Sequence, residues 1–210
     1  MSDIPWVEKY RPNLFNNIIL NQETSTILNN MINFNLLPNL LLYGPPGTGK
    51  NTTIINFINK YIKSKFHSKE NINNSSLILH LNASDERGIE IIRNNILSFV
   101  KSDNLFSTGR KFVILDEVDY MTKTAQVGLK TLIQNNNSNV TYYLICNYIT
   151  KIDTSLQNEL VKICFNVIDK EYIYNYLKNI LDKENLYVKK DNLINLIKYY
   201  NNDIRSMLNF

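Results

Sequence analysis

The sequence predicts an α/β fold: a doubly wound parallel sheet of five strands, followed by a small C-terminal helical unit. Three observations carry that expectation. An apolar run, Leu40-Leu41-Leu42-Tyr43, leads into Gly44-Pro45-Pro46-Gly47-Thr48-Gly49-Lys50, after which a helical pattern begins at Asn51. Short apolar segments then alternate with segments of helical period as far as Ile168, the order that places helices on both faces of a parallel sheet. From Asp169 onward only helical patterns remain. The expected division is 1–168 for the α/β unit, with 1–17 as an extended arm, and 169–210 for a helical lid.

In chain order, the arm carries Pro5, Trp6, Tyr10, Arg11 and Pro12. Each proline also restricts its predecessor, so a continuous helix is disfavoured and an extended course is expected. Trp6 and Tyr10 suit either an ordinary core or the wall of a nucleotide-base site. Gln22 to Phe34 places Ile27, Leu28, Met31 and Ile32 at helical spacing, and Leu36 to Pro38 breaks the pattern. Asn39 to Tyr43 is the first strand, its unbroken apolar run suiting a strand buried on both faces. Asn51 to Phe66 is the helix after it, and His67 to Ser76 a polar, Asn-rich surface loop. Leu77 to Leu81 is the second strand. Ser84 or Asp85 can cap a helix from Ile89 to Val100, and Lys101 to Arg110 is a turn region. Phe112 to Leu115 is the third strand, running straight into Asp116-Glu117-Val118-Asp119. Thr122 can cap a helix to Gln134, and Asn135 to Asn139 form a loop. Val140 to Cys146 is the fourth strand, ending at Asn147, and Ile163 to Ile168 the fifth. Helices are expected at 170–183, 191–200 and from 203 onward.

Bulk properties exclude several classes. Hydrophobic residues at 44% and charged residues at 20% place the chain among ordinary globular proteins. No apolar run approaches the roughly 20 residues of a membrane span, and the first residues lack the basic start and apolar core of a signal peptide. Cys146 and Cys164 form no CxxC pair and read as reduced, structural residues of a cytosolic or nuclear protein. His67 and His80 offer no metal-ligand spacing. The net charge of +4 is too small to argue nucleic-acid binding alone. Abundant Asn, Ile, Lys and Tyr with few arginines match the composition of an AT-rich genome; Arg11, Arg87 and Arg205 stand out against it because all three sit in motifs.

The glycine-rich turn between a strand and a helix is a phosphate cradle. Gly44, Gly47 and Gly49 let the backbone bend so that its N–H groups point at phosphate oxygens, with Pro45, Pro46 and Thr48 between them. Lys50 reaches the β- and γ-phosphates, and the helix N-terminus adds roughly half a positive charge. The eighth place of this motif, ordinarily Ser or Thr, is Asn51. A carboxamide oxygen can ligate Mg²⁺ from a longer side chain, while Thr52 is turned away by about 100° of helix. ATP binding is thus predicted and hydrolysis left open. Asp116-Glu117 at the end of an apolar strand is a Walker B pattern: Asp116 can hold Mg²⁺ through water and Glu117 can polarise an attacking water. Asn147, at the next strand end, suits either a turn or a side chain that orients water against the γ-phosphate.

Together these residues resemble the small subunits of replication factor C, the sliding-clamp loader, within the AAA+ ATPases. The resemblance is carried by Pro5-Trp6-Val7-Glu8-Lys9-Tyr10-Arg11-Pro12, by the cradle, and by Leu81-Asn82-Ala83-Ser84-Asp85-Glu86-Arg87-Gly88-Ile89. It continues through Val113 to Asp119, Met121-Thr122, Leu144 to Tyr148, Asp203-Ile204-Arg205 and Leu208-Asn209. The stretch from Leu105 to Gln126 is most similar to the eukaryotic subunits numbered 3 and 5. The resemblance implies that Val7, Tyr10 and Arg11 pack on adenosine, that Asn147 is the sensor-1 residue and that Arg205 in the lid touches the γ-phosphate. Arg87, Ile89 and Arg93 then face primer–template DNA, although Arg93 equally suits a solvated helix face. The implied partners are the other subunits of a hetero-pentamer, the sliding clamp and DNA read by shape rather than sequence, in the nucleus and away from membranes.

Two departures accompany the resemblance. The family carries Ser-Arg-Cys after sensor 1, its arginine reaching a neighbour's ATP; here Asn158-Glu159-Leu160 stands in that place, and Glu159 repels phosphate. The family's paired arginines after Walker B appear as Lys130-Thr131. These changes, with Asn51, raise the alternatives of a non-hydrolysing nucleotide-binding scaffold subunit and of a diverged stand-alone ATPase. The family also continues into a helical collar, absent from this chain; Asp203 to Phe210 reads as a lid helix cut short, the mark of a fragment.

Overall fold

The computed structural model describes residues 4–65, 76–84, 89–102, 109–135 and 139–210, with the side chains of Ile89 and Ile91 also outside the description. Residues 67–75 of the loop expected at His67 to Ser76, most of the turn region from Lys101 to Arg110, the centre of the Asn135–Asn139 loop and Arg87 lie outside the described residues.

Five strands form one all-parallel sheet: β1 (Leu40–Tyr43), β2 (Ile78–Asn82), β3 (Lys111–Asp116), β4 (Val140–Cys146) and β5 (Val161–Cys164). Their order is β2-β3-β4-β1-β5, with Leu41 opposite Leu144 and Leu115 opposite that same residue from the other side. Strand residues alternate between two helical layers. Leu40, Leu42, Phe112, Ile114 and Tyr143 face α2 (Gln22–Asn33) and α3 (Lys50–Lys65), meeting Leu28, Phe57 and Ile58. Leu41, Val113, Leu115, Tyr142 and Leu144 face α4 (Ile89–Lys101) and α5 (Lys123–Gln134), meeting Ile92, Ile96, Leu129 and Ile133. Cover on both faces is why these strands read as unbroken apolar runs. Thr122 caps α5, its hydroxyl accepting from the Ala125 N–H at 3.2 Å. Cys146 is buried in the second layer, and both cysteines are free thiols on the two strands that flank β1.

The C-terminal helices α7 (Lys170–Lys183), α8 (Lys190–Tyr199) and α9 (Ile204–Asn209) enclose a third core of Ile168, Ile173, Leu177, Leu193, Ile197 and Met207. Among the described residues no helix is long and apolar enough to cross a membrane.

Two expectations are corrected. The arm is not extended throughout: α1 (Trp6–Lys9) is a single helical turn, and Phe15–Asn17 form a 3₁₀ turn. Pro5 stands at the N-cap, where no N–H is required, and its carbonyl accepts from Glu8 and Lys9 at 3.0 and 2.9 Å. The turn ends before Pro12, so the prolines bound a helix instead of forbidding it. The last strand is Val161–Cys164, two residues earlier than expected at its start. It lies at the sheet edge with Val161 and Lys162 exposed, so its start carries no apolar pattern; its ladder ends where β1 turns away after Tyr43. A short helix, α6 (Thr154–Gln157), precedes it.

Candidate functional site

All five strands are parallel and point their C-terminal ends at one edge of the sheet, where a cavity of about 220 Å³ lies. Several parts of the chain line it. The arm gives Val7, Glu8, Arg11 and Pro12; the loop and α3 give Pro46 to Thr52; the C-terminal helices give Tyr176, Ile204, Arg205 and Leu208. Asp116 and Glu117 enter from β3 and Asn147 from β4.

The loop after β1 needs glycine at two places. A Cβ at Gly44 would lie 2.1 Å from the Phe165 carbonyl oxygen. Gly47 has φ +74°, and a Cβ there would meet the Asp203 carboxylate at 2.0 Å, so the cap of α9 rests directly on the loop. Lys50, only 7% exposed, is held by three acceptors: the Gly44 and Pro45 carbonyls, both at 2.8 Å, and Asn147 Oδ1 at 2.9 Å. Burial pulls its pKa down, and Arg205 adds repulsion against the pull of Asp116 and Asp119. The lysine and Asn147 are therefore joined, while Gly44 and Pro45 act through their carbonyls and do not line the cavity.

Asp116 is half-buried, and that burial pushes its carboxyl above the usual range. The Glu117 N–H donates to its Oδ1 at 2.9 Å and Asn51 Nδ2 donates to its Oδ2 at 2.7 Å. Asn51 Oδ1 is buried and has no hydrogen-bond partner among the described residues. An orphaned carbonyl oxygen beside a carboxylate is a hard-oxygen donor set, and it fits Mg²⁺. Glu117 lines the cavity with φ 56° and ψ 38°, in the left-handed region that a side chain adopts at a cost.

The arm is fastened on both sides. Arg11 Nε donates to Thr52 Oγ1 at 3.3 Å, and Asn56 Nδ2 donates to the Pro12 carbonyl at 2.9 Å. Thr52 thus points to the arm, as its helical offset from Asn51 requires. Tyr10 does not line the cavity; its hydroxyl and Lys9 Nζ both donate to Glu184, just past the end of α7, and its carbonyl accepts from Tyr176 at 2.8 Å. Arg93 is exposed on α4, and Ile89 opens that helix. Glu159 accepts from Gln134 Nε2 at 2.7 Å on the outer face.

Sequence reasoning missed Glu8, Asn56, Tyr176, Ile204, Leu208 and Glu184. Asn56 left a trace, as a buried amide inside the apolar stripe of α3. The lid residues follow an ordinary helical period and carry no mark of their partners. Among the described residues no cluster of three His, Cys, Asp or Glu side chains is suited to a metal.

Comparison with known proteins agrees with this geometry. The model of the ATPase family associated with various cellular activities (AAA) matches residues 40–167. Replication factor C subunit 5 of Homo sapiens is 40% identical over 207 residues, covering 99% of this chain and 59% of that protein. Replication factor C subunit 3 of Oryza sativa is 38% identical over 208 residues, covering 98% and 55%. Subunit 3 of Saccharomyces cerevisiae is 36% identical over 207 residues, covering 99% and 58%. The chain therefore spans between 55% and 59% of the length of these curated relatives, which carry the subunit numbers to which the motifs point.

Proposed function

The chain belongs to the AAA family of ATPases, and on that premise we propose that it is the nucleotide-binding part of a clamp-loader small subunit. It binds ATP with Mg²⁺ between residues 1–168 and the lid of residues 169–210. With the other subunits of a replication factor C hetero-pentamer, in the nucleus, it opens a sliding clamp and releases it on primer–template DNA.

The observation that carries this reading is the shared lining of one cavity by arm, loop and lid. Its wall divides chemically. Lys50, Asn147, Asp116, Glu117 and Arg205 supply charge and hydrogen bonds, while Val7, Ile18, Ile19, Ile168, Ile204 and Leu208 supply apolar contact. A nucleotide presents the same division between polyphosphate and base.

In this reading the backbone of Gly44 to Gly49 and the N-terminus of α3 cradle phosphate oxygens. Lys50 and Arg205 oppose their charge, and Asn147, already hydrogen-bonded to Lys50, orients the attacking water. Glu117, fixed by its left-handed backbone, takes that water's proton. Val7 and Arg11 form the adenosine side, and Tyr10, turned to Glu184 and Tyr176, anchors the arm that carries them. Asn51 Oδ1 and Asp116 would hold Mg²⁺, which when bound neutralises charge on the phosphates. Arg93, exposed on α4, faces the DNA, bound by shape and phosphate contacts.

Calorimetric titration with ATP tests the reading. Lys50→Ala is expected to weaken binding at least about tenfold. Glu117→Gln is expected to keep binding but lower turnover of the reconstituted complex by about 100-fold or more. Equal affinity in the native chain and Lys50→Ala would overturn the proposal. For the assembled complex, Arg93→Ala should reduce the slope of log affinity for DNA against log salt by about 1.

A further inference from the structure

Residue 51 stands where a phosphate-binding loop ordinarily brings a hydroxyl to the divalent cation. A hydroxyl performs donation and ligation through one oxygen; a carboxamide separates them onto two atoms. Here the donor end is already used, Nδ2 holding Asp116 Oδ2 at 2.7 Å. The other carboxylate oxygen takes the Glu117 N–H at 2.9 Å. Both oxygens of Asp116 thus face an N–H dipole. Among the described residues no lysine or arginine forms an ion pair with Asp116. Lys50 is committed to two carbonyls and Asn147.

We infer that Asn51 stands in for the divalent cation at Asp116, so that this chain binds ATP with little dependence on a divalent metal. The inference rests on the nucleotide-binding reading above and adds to it the cation requirement. A bare carboxylate beside incoming phosphates repels them, and a cation must sit between. The Asn51 amide lies against that carboxylate and presents its positive end to it. The acceptor end remains buried and unpartnered. A cation that enters finds the Asp116 charge already partly offset by the two N–H dipoles, so it relieves less repulsion and contributes less to nucleotide affinity than at a site where a hydroxyl leaves that carboxylate bare.

The test is ATP binding by calorimetry in excess Mg²⁺ and in excess EDTA, for the native chain and for Asn51→Thr. The native dissociation constant in EDTA is expected within about fivefold of its value in Mg²⁺. Asn51→Thr is expected to widen that ratio by at least another fivefold or so, with Asn51→Ser as a second hydroxyl variant. A native loss greater than about fivefold, or the same ratio in the native chain and the hydroxyl variants, overturns the inference while nucleotide binding stands. No binding in either buffer overturns both. A melting temperature shared by native chain and variants confirms that the comparison reads the site and not the fold.

Discussion

Glu117 combines a left-handed backbone with a place on the cavity wall. Glycine adopts that conformation freely, whereas a residue with a Cβ is strained there. Glu117→Gly should therefore hold or raise stability by up to about 1 kcal/mol in urea unfolding, while ATP turnover is lost. A clear loss of stability would mean that the side chain, not the backbone, anchors this turn. The same residue shows what a sequence discloses. Lys50 was legible because it closes the phosphate loop at the start of α3, and Asp116, Glu117 and Asn147 because they stand at strand ends, where residue type and spacing follow the chemistry directly. The backbone strain of Glu117 was not legible, since it is imposed by the 3₁₀ turn that follows. Nor was the partner of Thr52, because it comes from the arm, far away in the chain.

Element by element, helix ends bear the mark of an Asn-rich chain. Asn35, Asn185 and Asn201 follow α2, α7 and α8 with φ between 49° and 56°. After α2 the Leu36 N–H reaches back to the Met31 carbonyl at 2.9 Å, and after α7 Leu186 reaches Leu181 at 2.9 Å. This is the closing turn that glycine most often makes. Asn185→Gly should stabilise the chain by about 0.5–1 kcal/mol, read as a rise in the urea midpoint with unchanged slope. The clasp between arm and lid belongs to the same scale. Glu184 is held below its usual 4.5 by its hydrogen bonds to Lys9 and then Tyr10, and Lys9 is raised above 10.5 by Glu184. The acidic partner contributes above 4.5 and fails as pH falls through its lowered value; the basic partner contributes below 10.5 and fails as pH rises through its raised value. Lys183 also lies over the Tyr10 ring, at 5.9 Å. Trp6, the single tryptophan, packs edge-on against Tyr10 at 6.1 Å and reports on the arm. Glu184→Gln should increase acrylamide quenching of Trp6 by a similar factor from about pH 6 to about pH 9, the difference from native shrinking below about pH 4. Equal quenching at neutral pH would show that the other contacts, Arg11 to Thr52, Asn56 to the Pro12 carbonyl and Tyr176 to the Tyr10 carbonyl, suffice to hold the arm. Elements with strong period, such as α3 and β4, were legible almost to the residue. The arm helix and β5 were not, because a single turn has no period and an edge strand has no continuous apolar run.

Across the whole molecule, the sheet was legible because strands buried on both faces must be apolar, and strands alternating with helices leave little choice of topology. The cavity as a whole was not, because it depends on how the lid helices rest on the loop, with Asp203 against Gly47 and Glu184 against the arm. Those contacts join residues whose chain separation leaves no local pattern. The same arrangement makes the cavity a property of arm, loop and lid together. The most direct measurement is affinity purification of the protein from its own cells, with mass spectrometry and quantification of what accompanies it. A clamp-loader small subunit is expected to bring down the other replication factor C subunits in near-equal amounts. Recovery of an ATP-binding chain without any of those subunits would contradict the clamp-loader role.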